Sequence, residues 1–333
     1  MRILVISPSF FGYEKQIITA FEKQGCHVNF LDERPRNTPI TKAAVRVFPQ
    51  MLSRQIQQHF QTALKRFTDS RFDAVLVIKG EVTPKWFLRE LREKNRDAAF
   101  IYYTFDSLRN SPQGKRILDM FNFKFSFDRS DVEANESFVY KPLFYGPDYD
   151  LSSGDRDLDV SFVGTLHGDR YRLTQNLASK VERRSRLLFY YMAARWYFWV
   201  RKLTSRDLKG VRLSEVSFES LTSSEAATAV KRSKAVIDVQ RAGQTGLTMR
   251  TFEVLATGAG LITTNKAITM EPFYTEDRVL IVGRSPDPNE ANRVRRFIDS
   301  QPSSPTGIDG FQRYSLDNWV QEFVNLLQKD ESR

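Results

Sequence analysis

Short apolar runs alternate with amphipathic segments along the first half of the chain. The apolar runs predict strands at residues 2–7, 27–31, 73–78, 98–103 and 123–127. Apolar residues at helical spacing predict helices at residues 13–24, 50–67 and 84–94. The run 73–78 is apolar on both faces, as parallel strands covered by helices require. The first half therefore predicts a doubly wound α/β domain.

The second half repeats the alternation. Strands are expected at 158–163, 235–239, 261–264 and 279–282, and helices at 170–182, 225–232, 248–257, 289–300 and 316–328. The turn-rich segment 145–157 separates the halves. We predict two domains, 1–148 and 158–333, with the last helix a candidate to pack back on the N-terminal domain. In such sheets ligands bind at the carboxyl ends of the strands.

Composition narrows the possible chemistry. The 333 residues include one cysteine and three scattered histidines, so no metal site is predicted. The first apolar run is too short for a signal peptide, and no run is long enough to span a bilayer, which favours a cytoplasmic location. The net charge of +10 predicts an anionic partner: nucleic acid, a membrane surface or a phosphorylated small molecule.

The most informative segment is 248–265. Arg250 and Glu253 lie three residues apart, on one face of the predicted helix. The planar guanidinium of Arg250 near a helix start suits a diphosphate, and the Glu253 carboxylate suits two ribose hydroxyls. The preceding loop adds Thr245 and Gly246. The alternative is a surface Arg–Glu pair, which would contribute little stability.

A second loop follows the first strand of the C-terminal half. The strand ends in Gly164 and Thr165, and His167 and Arg170 follow at a helix start. A glycine lets backbone amides approach a phosphate, and the helix start supplies partial positive charge. The two basic side chains would add hydrogen bonds. The alternative is an ordinary strand-to-helix turn.

These motifs resemble the bacterial CgeB-like glycosyltransferase family. The resemblance rests on Phe-Val-Gly-Thr at 162–165, Arg-Thr-Phe-Glu-Val-Leu-Ala-Thr-Gly-Ala at 250–259 and Leu-Ile-Thr-Thr at 261–264. It extends into the first half through Ile-Lys-Gly-Glu at 78–81 and Tyr-Thr-Phe-Asp at 103–106. It implies the GT-B arrangement, in which two Rossmann-like domains face each other across a cleft. It also implies a nucleotide-sugar donor on the C-terminal domain and an acceptor on the N-terminal domain.

The resemblance also implies roles for particular residues. Glu253 matches the position expected to bind the donor ribose, and Arg250 a position near the diphosphate, with Gly164 and Thr165 across from it. Related enzymes often carry a Glu-x7-Glu motif, and Thr245 stands where the first glutamate would be. The resemblance therefore supports nucleotide binding by Glu253 and leaves the retaining mechanism of the full motif open.

The N-terminal domain should supply any catalytic base. In an inverting transfer a carboxylate deprotonates the acceptor hydroxyl while the nucleoside diphosphate leaves. Glu81 and Asp106 each follow a predicted strand and are the catalytic candidates, with Glu14 as a third. The alternative for each is a helix cap or a carboxylate that stabilises a loop. GT-B enzymes generally need no metal, because basic side chains and helix starts neutralise the diphosphate, so neither metal nor cofactor is expected.

The stretch 183–202 is unusual because aromatic residues crowd between arginines and lysines. Arg195 interrupts it, so it should not span a bilayer. We expect a helix that lies on an anionic membrane surface, packs on the C-terminal domain or forms an oligomer contact. Nucleic-acid binding is not expected, because no recognition motif accompanies the stretch.

The combined hypothesis is a cytoplasmic glycosyltransferase, peripheral at the inner membrane. It would move a sugar from a nucleotide-sugar to a polysaccharide or lipid-linked glycan acceptor during assembly of a surface polysaccharide such as lipopolysaccharide or capsule. One alternative is a non-catalytic nucleotide- or sugar-binding partner of an envelope-assembly complex. The other is a basic nucleic-acid-binding protein, whose affinity would fall steeply with salt.

Overall fold

The chain forms two compact units. The computed structural model describes residues 1–10, 12–35, 53–151, 154–241, 243–285 and 287–331. The first unit contains Met1–Leu143 and Leu316–Arg333, and the second contains Phe144–Ser315. The start of the helix predicted at 50–67 lies outside the described residues.

The first unit contains a six-stranded parallel sheet in the order β2-β1-β3-β4-β5-β6. Its strands are β1 Arg2–Ser7, β2 His27–Asp32, β3 Ala74–Ile78, β4 Ala99–Tyr103, β5 Phe123–Ser126 and β6 Val139–Tyr140. Every residue of β3 and β4 is buried. Central strands covered on both faces explain why their sequences are continuous apolar runs instead of alternating ones.

Helices flank this sheet. They are α1 Tyr13–Lys23, α2 Ser53–Arg66, α3 Lys85–Lys94 and α4 Arg129–Ala134, with a 3-10 segment at Pro112–Met120. The C-terminal helix α10, Leu316–Glu331, also belongs to this unit and packs against α1. Its Trp319 ring lies edge-on to Tyr103 of β4, with ring centroids 5.0 Å apart. Aromatic burial of this kind fixes the last helix to the first sheet.

The second unit repeats the architecture with the sheet order β12-β11-β10-β7-β8-β9, again parallel. Its strands are β7 Leu158–Thr165, β8 Arg186–Tyr191, β9 Val216–Ser217, β10 Ser233–Asp238, β11 Gly260–Thr263 and β12 Val279–Ile281. Its helices are α5 Arg170–Leu177, α6 Arg195–Thr204, α7 Ser223–Lys231, α8 Met249–Ala256 and α9 Pro288–Ser300. The predicted doubly wound α/β class is confirmed.

The expectation of one helix across 183–202 is wrong. Residues Arg186–Tyr191 form β8, which pairs in parallel with β7 along its whole length, and only Arg195–Thr204 is α-helical. The run Leu-Leu-Phe-Tyr-Tyr favours a strand because bulky aromatic side chains pack well on a pleated sheet. The buried Tyr190 ring packs against Phe162 of β7. The arginines at 183–184 and the helix Arg195–Thr204 therefore lie at opposite ends of β8, which is roughly 20 Å long at about 3.3 Å per residue.

No described helix is long and apolar enough to cross a membrane.

Candidate functional site

Two loops of the second unit meet at the carboxyl edge of its sheet. β7 ends at Thr165 and its neighbour β10 ends at Asp238, so both loops emerge at the same edge. Arg170, the first residue of α5, joins them: its Nε donates to the Val239 carbonyl at 2.7 Å and its Nη1 to the Thr165 carbonyl at 3.1 Å. Arg170 thus holds the predicted loop after β7 against the predicted loop after β10.

The loop after β10 is fixed at several points. The Thr248 hydroxyl donates to the Asp238 carboxylate at 2.7 Å. The Asn265 side chain, which follows β11, donates to the carbonyls of Thr245 and Gly246 at 3.1 and 3.2 Å. Sequence reasoning missed Asn265 as part of this arrangement, although its position directly after a buried strand was the signal. The Thr245–Gly246 backbone is therefore held in one conformation.

Gly164 has a packing role inside β7. A Cβ at this position would lie 2.9 Å from the Phe162 ring, closer than real Cβ contacts. The residue is thus required to be small whether or not a phosphate approaches it. Gly168, at φ +58°, supplies the left-handed turn that leads into α5.

His167 lies in a positively charged environment. Burial, and then the charges of Arg170, Arg241 and Arg201, lower its pKa to about 4, so the imidazole is neutral at pH 7. A neutral imidazole can donate one hydrogen bond and accept another. Three guanidinium groups close enough to shift this pKa also create the positive potential that an incoming diphosphate would need.

Arg250 and Glu253 contact each other at the start of α8. Arg250 Nη1 lies 3.0 Å from Glu253 Oε2 and donates to the Tyr149 hydroxyl at 3.4 Å. Glu253 is only 1% exposed, so the alternative of a solvated surface pair is wrong. Burial, and then the Glu253 charge, raises the pKa of Tyr149 to about 12. The contact with Arg250 therefore holds the buried Glu253 carboxylate in place at the start of α8.

A second charged cluster follows β3 and β4 in the first unit. Lys79 Nζ lies 2.8 Å from Glu81 Oε1 and 2.8 Å from Asp106 Oδ2. Arg34 Nη2 lies 2.6 Å from Glu81 Oε2. The structure therefore brings the two catalytic candidates together through one lysine that sequence reasoning missed.

The two carboxylates of this cluster have different environments. Glu81 is 6% exposed; its burial raises the pKa, but Lys79 and Arg34 outweigh that effect and hold the pKa below its usual value. A carboxylate clamped by two cations is a weak proton acceptor. Asp106 is 41% exposed and contacts one of those cations, so it is the more accessible of the two.

Lys79 itself has an unusual backbone. Its φ of +76° lies in the left-handed region that side chains rarely adopt. The Tyr102 hydroxyl donates to its carbonyl at 2.8 Å, and its amide donates to the Tyr103 carbonyl at 2.9 Å. Such strain persists only where surrounding contacts enforce it, and it is frequent at functional sites.

Other carboxylates of the first unit support loops. Glu33 accepts from the Glu81 amide at 3.2 Å and from the Thr83 hydroxyl at 3.0 Å. Its burial, and then the Glu81 charge, raises its pKa to about 7. Glu14 accepts from the Phe10 amide at 3.0 Å, as its loop-stabilising alternative predicted. Among the described residues, no three His, Cys, Asp or Glu side chains form a group that could hold a metal ion.

Comparisons with known proteins agree with this architecture. Residues 170–303, about two fifths of the chain, match a family model described as glycosyl transferase-like. No significant relative is found among curated protein sequences.

Three solved structures are similar over nearly the whole chain. Anabaena HepE in complex with UDP is 12% identical, with a TM-score of 0.64 over 99% of this chain and 100% of that one. Sucrose-phosphate synthase from Thermosynechococcus elongatus is 12% identical, with a TM-score of 0.66 over 99% and 98%. UDP-GlcNAc 2-epimerase from Methanocaldococcus jannaschii is 10% identical, with a TM-score of 0.56 over 99% and 100%. With its two Rossmann-like parallel sheets, the chain therefore has the GT-B fold.

Proposed function

We propose that the protein is a glycosyltransferase that moves a sugar from a nucleotide-sugar to a polysaccharide or lipid-linked glycan acceptor in cell-surface polysaccharide assembly. The observation that carries the proposal is the contact of Arg250 with the buried Glu253 at the carboxyl edge of the second sheet, inside the segment that matches the glycosyl transferase-like model. The similarity to a structure that binds UDP supports a uridine nucleotide as the first donor to test.

The second unit would hold the donor. Arg250 and Arg170 would neutralise the diphosphate, and His167 would donate one hydrogen bond to it. The Thr245–Gly246 backbone would approach the nucleotide, and Glu253 would accept hydrogen bonds from the ribose hydroxyls. Because Arg250 and burial already hold the Glu253 carboxylate in place, binding would cost little reorganisation.

The first unit would bind the acceptor and supply the base. The acceptor hydroxyl oxygen would bond to the anomeric carbon, the bond from that carbon to the diphosphate would break, and the hydroxyl proton would pass to Asp106. Lys79 and Glu81 would position the Asp106 carboxylate without touching the substrate. The transfer would need no metal, so we expect chelation by EDTA to leave the activity unchanged.

Calorimetric titration with UDP and UDP-glucose tests the donor site. Glu253→Gln keeps the size of the side chain and removes its charge. The loss of charge-assisted hydrogen bonds should weaken UDP binding by about tenfold or more. Glu276→Gln, at an exposed position of the same unit, is the matched control and should bind like wild type. Equal binding by wild type and Glu253→Gln would remove Glu253 from the site.

Slow hydrolysis of the donor separates an enzyme from a binding module. A competent transferase should release free sugar and UDP from UDP-glucose, whereas a non-catalytic partner of an assembly complex should bind without turnover. Product analysis matters because the GT-B fold also occurs in a UDP-GlcNAc 2-epimerase. Conversion of UDP-GlcNAc into its 2-epimer, without glycosyl transfer, would replace the proposed activity.

A further inference from the structure

Helix α6 of the second unit presents an apolar face to solvent. Trp196 is 69% exposed, Trp199 51%, Val200 46% and Leu203 86%. Their spacing of three, four and seven residues from Trp196 places them on one stripe of the helix. On the opposite side Phe198 is fully buried and holds the helix to its unit. Large side chains of this kind are rarely grouped on a surface that stays in water.

Basic residues lie beside this stripe. Residues 195–207 contain three arginines and one lysine against one aspartate. The aspartate, Asp207, pairs with Arg201 at 2.5 Å. Lys202 Nζ donates to the Val211 carbonyl at 2.8 Å, and Arg195 lies over the Phe218 ring at 5.5 Å. The apolar stripe is thus bordered by a cationic edge that is held in place.

We propose that the Trp196–Trp199–Val200–Leu203 face of α6 docks on an anionic lipid bilayer. A helix of ten residues is too short to span the bilayer, but it has the composition of a helix that lies in the interface plane. Tryptophan prefers the headgroup level, leucine and valine would enter the acyl boundary, and the basic edge would meet anionic headgroups.

The charge distribution argues against a second copy of the chain as the occupant. In a two-fold dimer the same patch meets itself, so the basic edges of the two copies would be brought close together. The net charge of +10 adds repulsion between two copies. The same charges are complementary to an anionic surface.

The start of α6 lies near the edge of the sheet from which the donor loop emerges, because β8 ends at Tyr191, beside Thr165 of β7. The Leu166 amide in that loop donates to the Tyr191 carbonyl at 2.8 Å, and α6 begins four residues after Tyr191. A bilayer bound to α6 would therefore lie beside the donor-binding residues, where a lipid-linked acceptor would be presented. Docking itself does not depend on the proposed transferase activity.

Co-sedimentation with vesicles tests the proposal. Wild type should bind vesicles of phosphatidylcholine mixed with phosphatidylglycerol, and binding to phosphatidylcholine alone should be much weaker. The double variant Trp196→Ser, Leu203→Ser should bind about tenfold more weakly or worse, because two inserted side chains are lost. Arg195→Gln should weaken binding to the anionic vesicles by about fivefold. Met270→Ser, at another exposed apolar position of the same unit, is the matched control.

The results separate docking from donor binding. Thermal unfolding and UDP titration of the double variant should match wild type, which would show that the unit is folded. Absence of wild-type binding to anionic vesicles would overturn the proposal, as would equal binding by the double variant. Concentration-dependent self-association that the double variant abolishes, without vesicle binding, would assign the face to a second copy instead.

Discussion

Lys79 offers a test of both the charged cluster and the strained backbone of the first unit. Replacing it with alanine removes the cation between Glu81 and Asp106 and keeps a Cβ at φ +76°. Replacing it with glycine removes the same cation and also releases the left-handed strain. The two variants therefore differ only in the cost of the backbone conformation and in the freedom of the unfolded chain.

The structure sets the expected magnitudes. Removing one partner of a buried ion pair costs about 3–5 kcal/mol. Here Glu81 keeps Arg34, and Asp106 is 41% exposed and can be hydrated, so we expect Lys79→Ala to lose about 2 kcal/mol of unfolding free energy. A left-handed alanine costs about 1–2 kcal/mol, and the extra unfolded-state entropy of glycine offsets roughly half of this. Lys79→Gly should therefore be about 1 kcal/mol more stable than Lys79→Ala.

Chemical and thermal unfolding of the full chain measure this difference. A stability change of about 1 kcal/mol corresponds to about 2–4 °C in melting temperature for a unit of this size. We expect the order wild type, Lys79→Gly, Lys79→Ala, from most to least stable. Lys79→Arg is the control that restores a cation without relieving the strain.

Two results would contradict the reasoning. If Lys79→Ala is as stable as Lys79→Gly, the left-handed conformation carries no strain. If both variants match wild type, the contacts of Lys79 with the two carboxylates contribute nothing to the fold, and a positioning role for the lysine loses its basis.

Three further outcomes follow from the same contacts. Gly258→Ala should lower the free energy of unfolding in urea by more than about 1 kcal/mol, because φ is +73° and the new Cβ would lie 2.6 Å from a backbone oxygen. Gly283→Ala, with open space around it, is the control and should be nearly neutral. Equal effects of the two substitutions would refute the clash. The pKa of His167 is about 4, below its usual 6.5, so between these values the unfolded chain binds the extra proton and stability falls as the pH falls. His167→Gln should therefore lose less stability than wild type when melting temperatures are measured from pH 7.5 down to 4.5. The same pH dependence in both proteins would contradict this prediction. Asp106→Asn should abolish most glycosyl transfer with little loss of stability. Glu81→Gln should instead lower the melting temperature, because it disturbs two ion pairs. The opposite pattern would make Glu81 the base.

The α/β architecture was predictable because burial on both faces leaves a direct record in the sequence. The runs 74–78 and 98–103 are continuously apolar, and the structure places them at the centre of the first sheet as β3 and β4. Prediction failed at 186–191, where aromatic residues lie next to a genuine helix. Local spacing cannot separate a six-residue strand from the start of that helix, since pairing with β7 decides the outcome.

The candidate site was predictable only in outline. The helix spacing placed Arg250 and Glu253 on one face, and the contact between them exists. That Glu253 is buried depends on the packing of α8 and Tyr149, which are far apart in sequence. The contact of Asp106 with Lys79 could not be predicted either, because Lys79 follows β3 and Asp106 follows β4.

The sequence by itself determined the class of the two sheets and the edge at which chemistry should be sought. Periodicity is a local property, and the carboxyl ends of parallel strands follow from it. Only the tertiary structure decided which charged groups meet, which of them are shielded from water, and that α6 carries an unpartnered apolar face. Those features depend on contacts between residues distant in the chain, and a carboxylate clamped by two cations has the same local sequence as one that is free to accept a proton.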